Sequence, residues 1–199
     1  DETIDAIESI LNQSVHSEQI AAFLLGWRVR LETVEELKTT LEVCNKYIKR
    51  VKIPNSIELG YPFDGKADNP YLLPLISKYL KKFDLNLVVS GDEIQPAKKG
   101  LTIKQLYENI EFDDNVFYFD RADYFKELSD LTKIRNILGL RTAFNTVEKL
   151  LNPGTSDYAV NAAFHKPYVA KYNQIFGNNY KNLIIVKGNE GTPEIFSKC

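Results

Sequence analysis

The sequence predicts an α/β protein with a helical subdomain: a mostly parallel sheet flanked by helices, plus an N-terminal α-helical domain. Three observations predict it. Residues 3–50 carry apolar positions at helical spacing and no strand-like run. From residue 56 onward, apolar runs of strand length alternate with amphipathic helical stretches, the pattern of a parallel sheet covered on both faces. Turn-rich segments at 60–66, 90–100 and 187–193 each follow such a run. In a parallel sheet the carboxyl ends of the strands share one edge, where ligands sit.

Each element has a local reason. Ile4, Ile7, Ile10 and Leu11 make one stripe on a helix over 3–11. Ser17 is a suitable N-cap for a helix over 18–31, which turns Ile20, Phe23, Leu24, Trp27 and Leu31 to one side. Thr33-Val34-Glu35-Glu36 reads as a capping box opening a helix over 34–50. Residues 56–59 form the first strand, and Asn69-Pro70 opens the next helix. Residues 85–89 are the second strand, Thr102 caps a helix reaching about Ile110, and 116–119 are the third strand. Ala122 or Asp123 opens a helical pair that turns at Gly139-Leu140-Arg141-Thr142 and stops at Asn152-Pro153. A fourth strand over 158–164 leads through His165-Lys166-Pro167 into a helix over 168–176, and 183–186 form a fully apolar fifth strand. The expected division is a helical domain over 1–52, with helices from about 122–151 packed on it, and an α/β domain over 53–199.

Composition narrows the function. The chain has 199 residues and a net charge of −2, so any basic site is local rather than global. Cys44 and Cys199 make neither a disulfide framework nor a metal motif and read as reduced thiols of a cytoplasmic protein. No apolar run approaches the roughly 18 residues of a membrane span, no signal-peptide pattern opens the chain, and the sequence contains no Met. His16 and His165 have no partners at metal-ligand spacing and read as structural, while Trp27 reads as core or dimer interface.

The most specific stretch is 133–153, KIRNILGLRTAFNTVEKLLNP. It resembles the G-[IL]-R-T-x-F-N…L-x-N-P segment of the anthranilate phosphoribosyltransferase family, glycosyltransferase family 3. The SEQIAAFLL run over 17–25, Thr33-Val34-Glu35-Glu36-Leu37 and the His165-x-Pro167 turn are similar to other segments of that family. The likeness runs from end to end. It implies the two-part fold described above, dimerisation through the helical domain, and a further C-terminal portion that longer family chains carry.

The resemblance also implies site residues. The family's phosphoribosyl-pyrophosphate loop, G-T-G-G-D, falls on Gly60-Tyr61-Pro62-Phe63-Asp64, and its N-I-S-T segment on Asn69-Pro70-Tyr71-Leu72. Glycines there let backbone N–H groups approach pyrophosphate, whereas Tyr61, Pro62 and Phe63 add bulk. The phosphate-binding candidates are Gly60, Asp64, Gly65, Lys66, Asn69, Lys98 and Lys99; a solvated lysine pair is the plain alternative for the last two. The family's K-H-G-N-R loop falls on Val89-Ser90-Gly91-Asp92, without its basic residues. The Mg²⁺-holding D-E pair falls on Pro193-Glu194, leaving Glu194, with Glu190 as a nearby substitute. Arg135 falls on the arginine that contacts the anthranilate carboxylate, with a surface arginine or an ion pair equally open. Arg141 and Asn145 more often tie helix ends together.

Two functions remain open. One is binding of nucleic acid or a nucleotide through the former pyrophosphate cleft. Lys66, Lys98, Lys99, Arg135, Lys149 and Lys187 would line it, with Tyr61 or Phe63 stacking a base. A branch of the family connected with nucleic-acid binding resembles this sequence at Phe63-Asp64-Gly65-Lys66, 69–75 and 146–151. The other is an active, Mg²⁺-dependent phosphoribosyltransferase; Mg²⁺ is implied only in that case. Catalytic activity stays open and no catalytic residue is assigned. The expected partners are a second copy of the chain and single-stranded nucleic acid or a phosphorylated ligand, with no membrane.

Overall fold

The computed structural model describes residues 2–62, 65–93 and 100–194. Phe63, Asp64, Lys98, Lys99 and Cys199 lie outside the described residues. The chain opens with three helices, α1 (Glu2–Leu11), α2 (Ser17–Arg30) and α3 (Val34–Asn45). The expected capping box at Thr33 is present: its hydroxyl accepts the Glu36 N–H at 3.1 Å, and Glu36 accepts the Thr33 N–H at 2.8 Å. His16, not Ser17, sits at the N-cap of α2, where Gln19 accepts its N–H at 3.0 Å. α3 ends five residues before the expected position 50 because the next backbone donors bond elsewhere. Lys49 donates to Tyr124, Val51 to Pro153 and Ile53 to Gly154.

Five strands follow: β1 (Ser56–Gly60), β2 (Asn86–Gly91), β3 (Val116–Asp120), β4 (Tyr158–Ala162) and β5 (Asn182–Val186). They form one parallel sheet in the order β3-β2-β1-β4-β5. All five expected strands are present, so the α/β class with a helical subdomain holds. Between them lie α4 (Leu73–Leu80), α5 (Ile103–Asn109), α6 (Arg121–Tyr124), α7 (Lys126–Asp130), α8 (Thr132–Leu138), α9 (Phe144–Val147) and α10 (Pro167–Phe176). α4 opens at Leu73-Pro74 rather than Pro70, so Asn69 does not cap it. The expected helical pair over 122–151 is instead a series of short helices. Phe125 leaves helical geometry (φ −151°, ψ 69°), and Gly139 takes the left-handed conformation (φ 66°) that ends α8.

Two apolar clusters cover the sheet. On one face, β1, β2 and β3 pack against α4 and α5 through Leu59, Leu87, Val89, Ile103 and Leu106. On the other, Ala159 and Phe176 join a larger core built by α1–α3 and α6–α9, including Leu24, Leu37, Cys44, Phe125 and Phe144. The bundle and the sheet therefore share a core. Gly154 is fixed by that closeness: a Cβ there would lie 2.6 Å from Val88. β5 departs from expectation. Its apolar run is half-covered, and Ile184 is 57% exposed at the sheet edge.

β1 buries one charge-bearing side chain, Glu58, which accepts the Asn152 N–H at 3.2 Å and the Tyr180 hydroxyl. Burial raises its pKa from near 4.5 to about 7, although these hydrogen bonds and Arg50 pull it down. A carboxyl raised in the folded state favours folding while protonated. That contribution is complete below about pH 4.5 and is lost as pH rises through about 7. Denaturation from pH 4.5 to 8 should show the wild type losing up to about 3 kcal/mol relative to Glu58→Gln. Parallel curves for the two proteins would contradict the assignment.

Candidate functional site

The chain enters the sheet at β1, moves outward to β2 and β3, then crosses back to β4 and outward again to β5. β1 and β4 are thus neighbours whose following connections leave in opposite directions. Such a topological switch leaves a crevice at the strands' carboxyl ends. A cavity of about 510 Å³ lies there, between Pro62 after β1, Ala162 at the end of β4, and the helical bundle. That volume suits a small molecule. The bundle supplies Arg28 and Glu32; the 141–149 segment supplies Arg141, Asn145 and Lys149; the turn after β4 supplies Phe164 and His165, and α10 supplies Tyr168 and Tyr172. Lys149 lies 5.2 Å from the Tyr172 ring centroid and donates to the carbonyls of Ala162 at 2.9 Å and Gly191 at 3.1 Å. Burial raises the Tyr172 hydroxyl well above its ordinary pKa, so it stays a neutral donor.

The strand-end loops on one side of this cavity are tied down by two carboxylates. Glu194 pairs with Lys66, both side chains fully buried, and accepts the Leu72 N–H at 2.6 Å, the Tyr61 hydroxyl at 3.1 Å and the Thr192 hydroxyl at 3.3 Å. Glu190 accepts the N–H groups of Ala67, Asp68 and Asn69 and the side-chain amide of Asn69. A Mg²⁺ ion needs open carboxylate lone pairs. Here those lone pairs already face donors, so Glu190 and Glu194 in this arrangement do not fit the ion.

Beneath the cavity runs a buried ionic network. Arg121 bridges Asp92, at 2.6 Å from Nε, and Glu148. Arg135 meets Glu148 with both terminal nitrogens, at 2.8 and 2.9 Å, and Thr132 donates to Asp92 at 3.2 Å. Burial works against the Arg121 charge, but Glu148 and Asp92 outweigh it and raise its pKa. The network joins the end of β2 to α6, α8 and α9, so it fixes the bundle on the sheet.

The sequence-predicted residues are thus distributed unevenly. Lys149 lines the cavity, as does Pro62 beside the candidate loop. Lys66 and Arg135 are buried in internal ion pairs, and Lys187 is exposed outside the cavity lining. Tyr61 is 1% exposed, and burial with the Glu194 carboxylate pushes its pKa well up, so its ring offers no face to a base. Gly60 is a packing glycine: a Cβ would lie 2.7 Å from the Asn161 side chain. Gly65 (φ 79°) sits against the carbonyls of Gly100 and Leu101, beside the Lys66–Leu101 bridge. Asn69 binds Glu190. Arg28, Tyr168, Tyr172 and the Arg121–Glu148 pair were missed. Asp120-Arg121, charged residues directly after an apolar strand, was the readable signal for the last. Arg141, His165 and Asn145, read as structural, line the cavity.

Comparison with known proteins agrees with the fold and the resemblance. Residues 1–44 match the glycosyl transferase family, helical bundle domain. An uncharacterized protein of Aquifex aeolicus is 32% identical over 98% of this chain and 63% of its own length. Anthranilate phosphoribosyltransferase of Petrotoga mobilis is 25% identical over 98% of this chain and 61% of its own. The chain therefore spans about three fifths of these relatives. Anthranilate phosphoribosyltransferase from Thermus thermophilus superposes with a TM-score of 0.72 at 14% identity, over 98% of this chain and 63% of that one. The Saccharomyces cerevisiae enzyme in complex with PRPP and Mg gives 0.69 at 15%, over 96% and 61%. In sequence and in fold the chain is thus similar to anthranilate phosphoribosyltransferases, and its first helices match a glycosyl transferase family domain. No described helix is long and apolar enough to cross a membrane.

Arg135→Ala should act on stability. Removing one partner of a buried pair costs roughly 3–5 kcal/mol when the other charge is left alone; Glu148 keeps Arg121, so the lower end of that range, about 3 kcal/mol or less, is expected. Denaturant unfolding should register that loss, and an unchanged midpoint would remove Arg135 from the ionic network.

Proposed function

We propose that the protein binds a phosphorylated ligand of nucleotide size in the cavity at the β1/β4 switch. The observation that carries this reading is the cavity's lining. Arg28, Arg141 and His165 offer cationic or hydrogen-bonding groups for a phosphate, beside the aromatic side chains of Phe164, Tyr168 and Tyr172. Guanidinium groups suit phosphate by their paired donors, and the rings give a base or sugar an apolar wall. The relatives named as anthranilate phosphoribosyltransferases support a ligand of this class. A track for single-stranded nucleic acid draws less support, because Lys66, Arg135 and Lys149 are buried and engaged. Phosphoribosyl transfer to an acceptor is the second reading, favoured by those same relatives. It requires the 187–194 loop to release Glu190 and Glu194. Exposed Phe23, Leu25 and Val29 on α2 support pairing of two copies through the bundle.

Calorimetry with a nucleoside monophosphate tests the reading. Binding is expected for the wild type and should weaken about tenfold in Arg141→Ala, the loss of one charge-assisted contact. No binding at millimolar ligand, or affinity indifferent to Arg141, would exclude the site. Short single-stranded DNA should bind no more tightly than the monophosphate. Tight, salt-dependent DNA binding would restore the nucleic-acid reading.

A further inference from the structure

The nest at residues 67–69 is built to hold an anion, and the anion it holds is the chain's own. Ala67 and Asp68 donate backbone N–H groups to one oxygen of Glu190 at 2.8 and 3.1 Å. Asn69 donates to the other oxygen through its backbone at 3.1 Å and through its side-chain amide at 3.2 Å. Successive backbone amides converging on two oxygens form a concavity that takes phosphate and carboxylate alike. Glu190 reaches it from a left-handed backbone conformation (φ 55°, ψ 15°), followed by Gly191 at φ 73°. That conformation disfavours a non-glycine residue. Glu190, Gly191 and Asp68 also line the switch-point cavity, so the nest and its plug form one wall of the ligand site.

We infer that Glu190 is an autoinhibitory plug: a tethered carboxylate that fills the 67–69 anion nest and excludes an external oxyanion until the 187–194 segment withdraws it. The inference rests on the ligand site proposed above, because the nest opens into that cavity. Tethering gives Glu190 a high effective concentration at the nest. A free phosphate or pyrophosphate must displace it and also overcome its charge. The plugged state should therefore admit a monophosphate held by Arg28 and Arg141 while rejecting a longer polyanion that needs the nest.

Calorimetric titration of the full chain with inorganic pyrophosphate tests this. Glu190→Gly removes the carboxylate and suits the left-handed backbone. It should bind pyrophosphate about tenfold more tightly than the wild type. Asp68→Asn removes the same charge from the same wall without freeing the nest, and should change affinity less than about twofold. Equal affinity in the wild type and Glu190→Gly overturns the plug. So does a gain in Asp68→Asn that matches Glu190→Gly, which would reduce the effect to bulk charge. If thermal melts show Glu190→Gly unfolded, Glu190→Gln, which keeps the side-chain volume, carries the test with the same expected sign. Monophosphate binding without a pyrophosphate gain sinks the plug alone. A pyrophosphate gain without monophosphate binding sinks the ligand reading and leaves the plug.

Discussion

The structure depends on the buried ionic network that joins Asp92, Arg121, Glu148 and Arg135. Two guanidinium groups and two carboxylates are removed from water together, and each has a partner of opposite charge. Desolvation of such groups is tolerated when the opposite charges meet in good geometry, and here only Arg135 Nε, among the buried atoms of the four side chains, is left without a hydrogen bond. The network fixes the distance between the carboxyl end of β2 and the helices that carry Arg141, Asn145 and Lys149. The cavity at the switch point is the space left over once that distance is set. The Arg135 guanidinium lies 5.9 Å from the Phe144 ring centroid, and burial of all four charged side chains keeps water from screening the network.

The strand-end loops show a second use of the same physics. Polar groups that face a ligand in an open cleft must be satisfied by something when the cleft is closed. In this chain Glu190 and Glu194 satisfy them. Glu194 neutralises Lys66 and accepts a backbone N–H at the start of α4, while Glu190 takes three amides before it. Most of the side chains that line the cavity come instead from the bundle, from the segment after Gly139, and from the turn after β4 with the start of α10. The cavity lining therefore lies closer to the helices than the position of the loops in the sequence suggests.

Much of this fold was legible in the sequence. Strand runs such as 85–89 and 116–119 are short, apolar and bounded by turn residues, and the Thr33 and Thr102 capping boxes mark helix starts by local chemistry alone. Helix ends were less legible. Whether the chain continues past Asn45, or breaks at Phe125, is decided by which distant carbonyl takes the next N–H, and Lys49 finds Tyr124. The site was legible only in part. Motif position put Lys66, Arg135 and Tyr61 at a ligand, but burial and pairing depend on residues far away in sequence, Glu194 and Glu148. Likewise, nothing local to Glu190 shows that its carboxylate meets the amides of residues 67–69. Arg141 and His165 matched structural readings of their motifs, and only the topology places both on one cavity.

The central claim is that ligand contact falls on the helix-side lining of the switch-point cavity, while the strand-end loops stay internally bonded. Amide chemical-shift mapping of the wild-type chain during titration with a nucleoside monophosphate tests it most directly. The account predicts perturbations concentrated at 141–149 and 164–172, with smaller ones at the cavity wall around Asp68 and the remaining amides of 60–61 and 65–72 little changed. Perturbations concentrated at 60–62 and 65–72, with 141–149 silent, would contradict it.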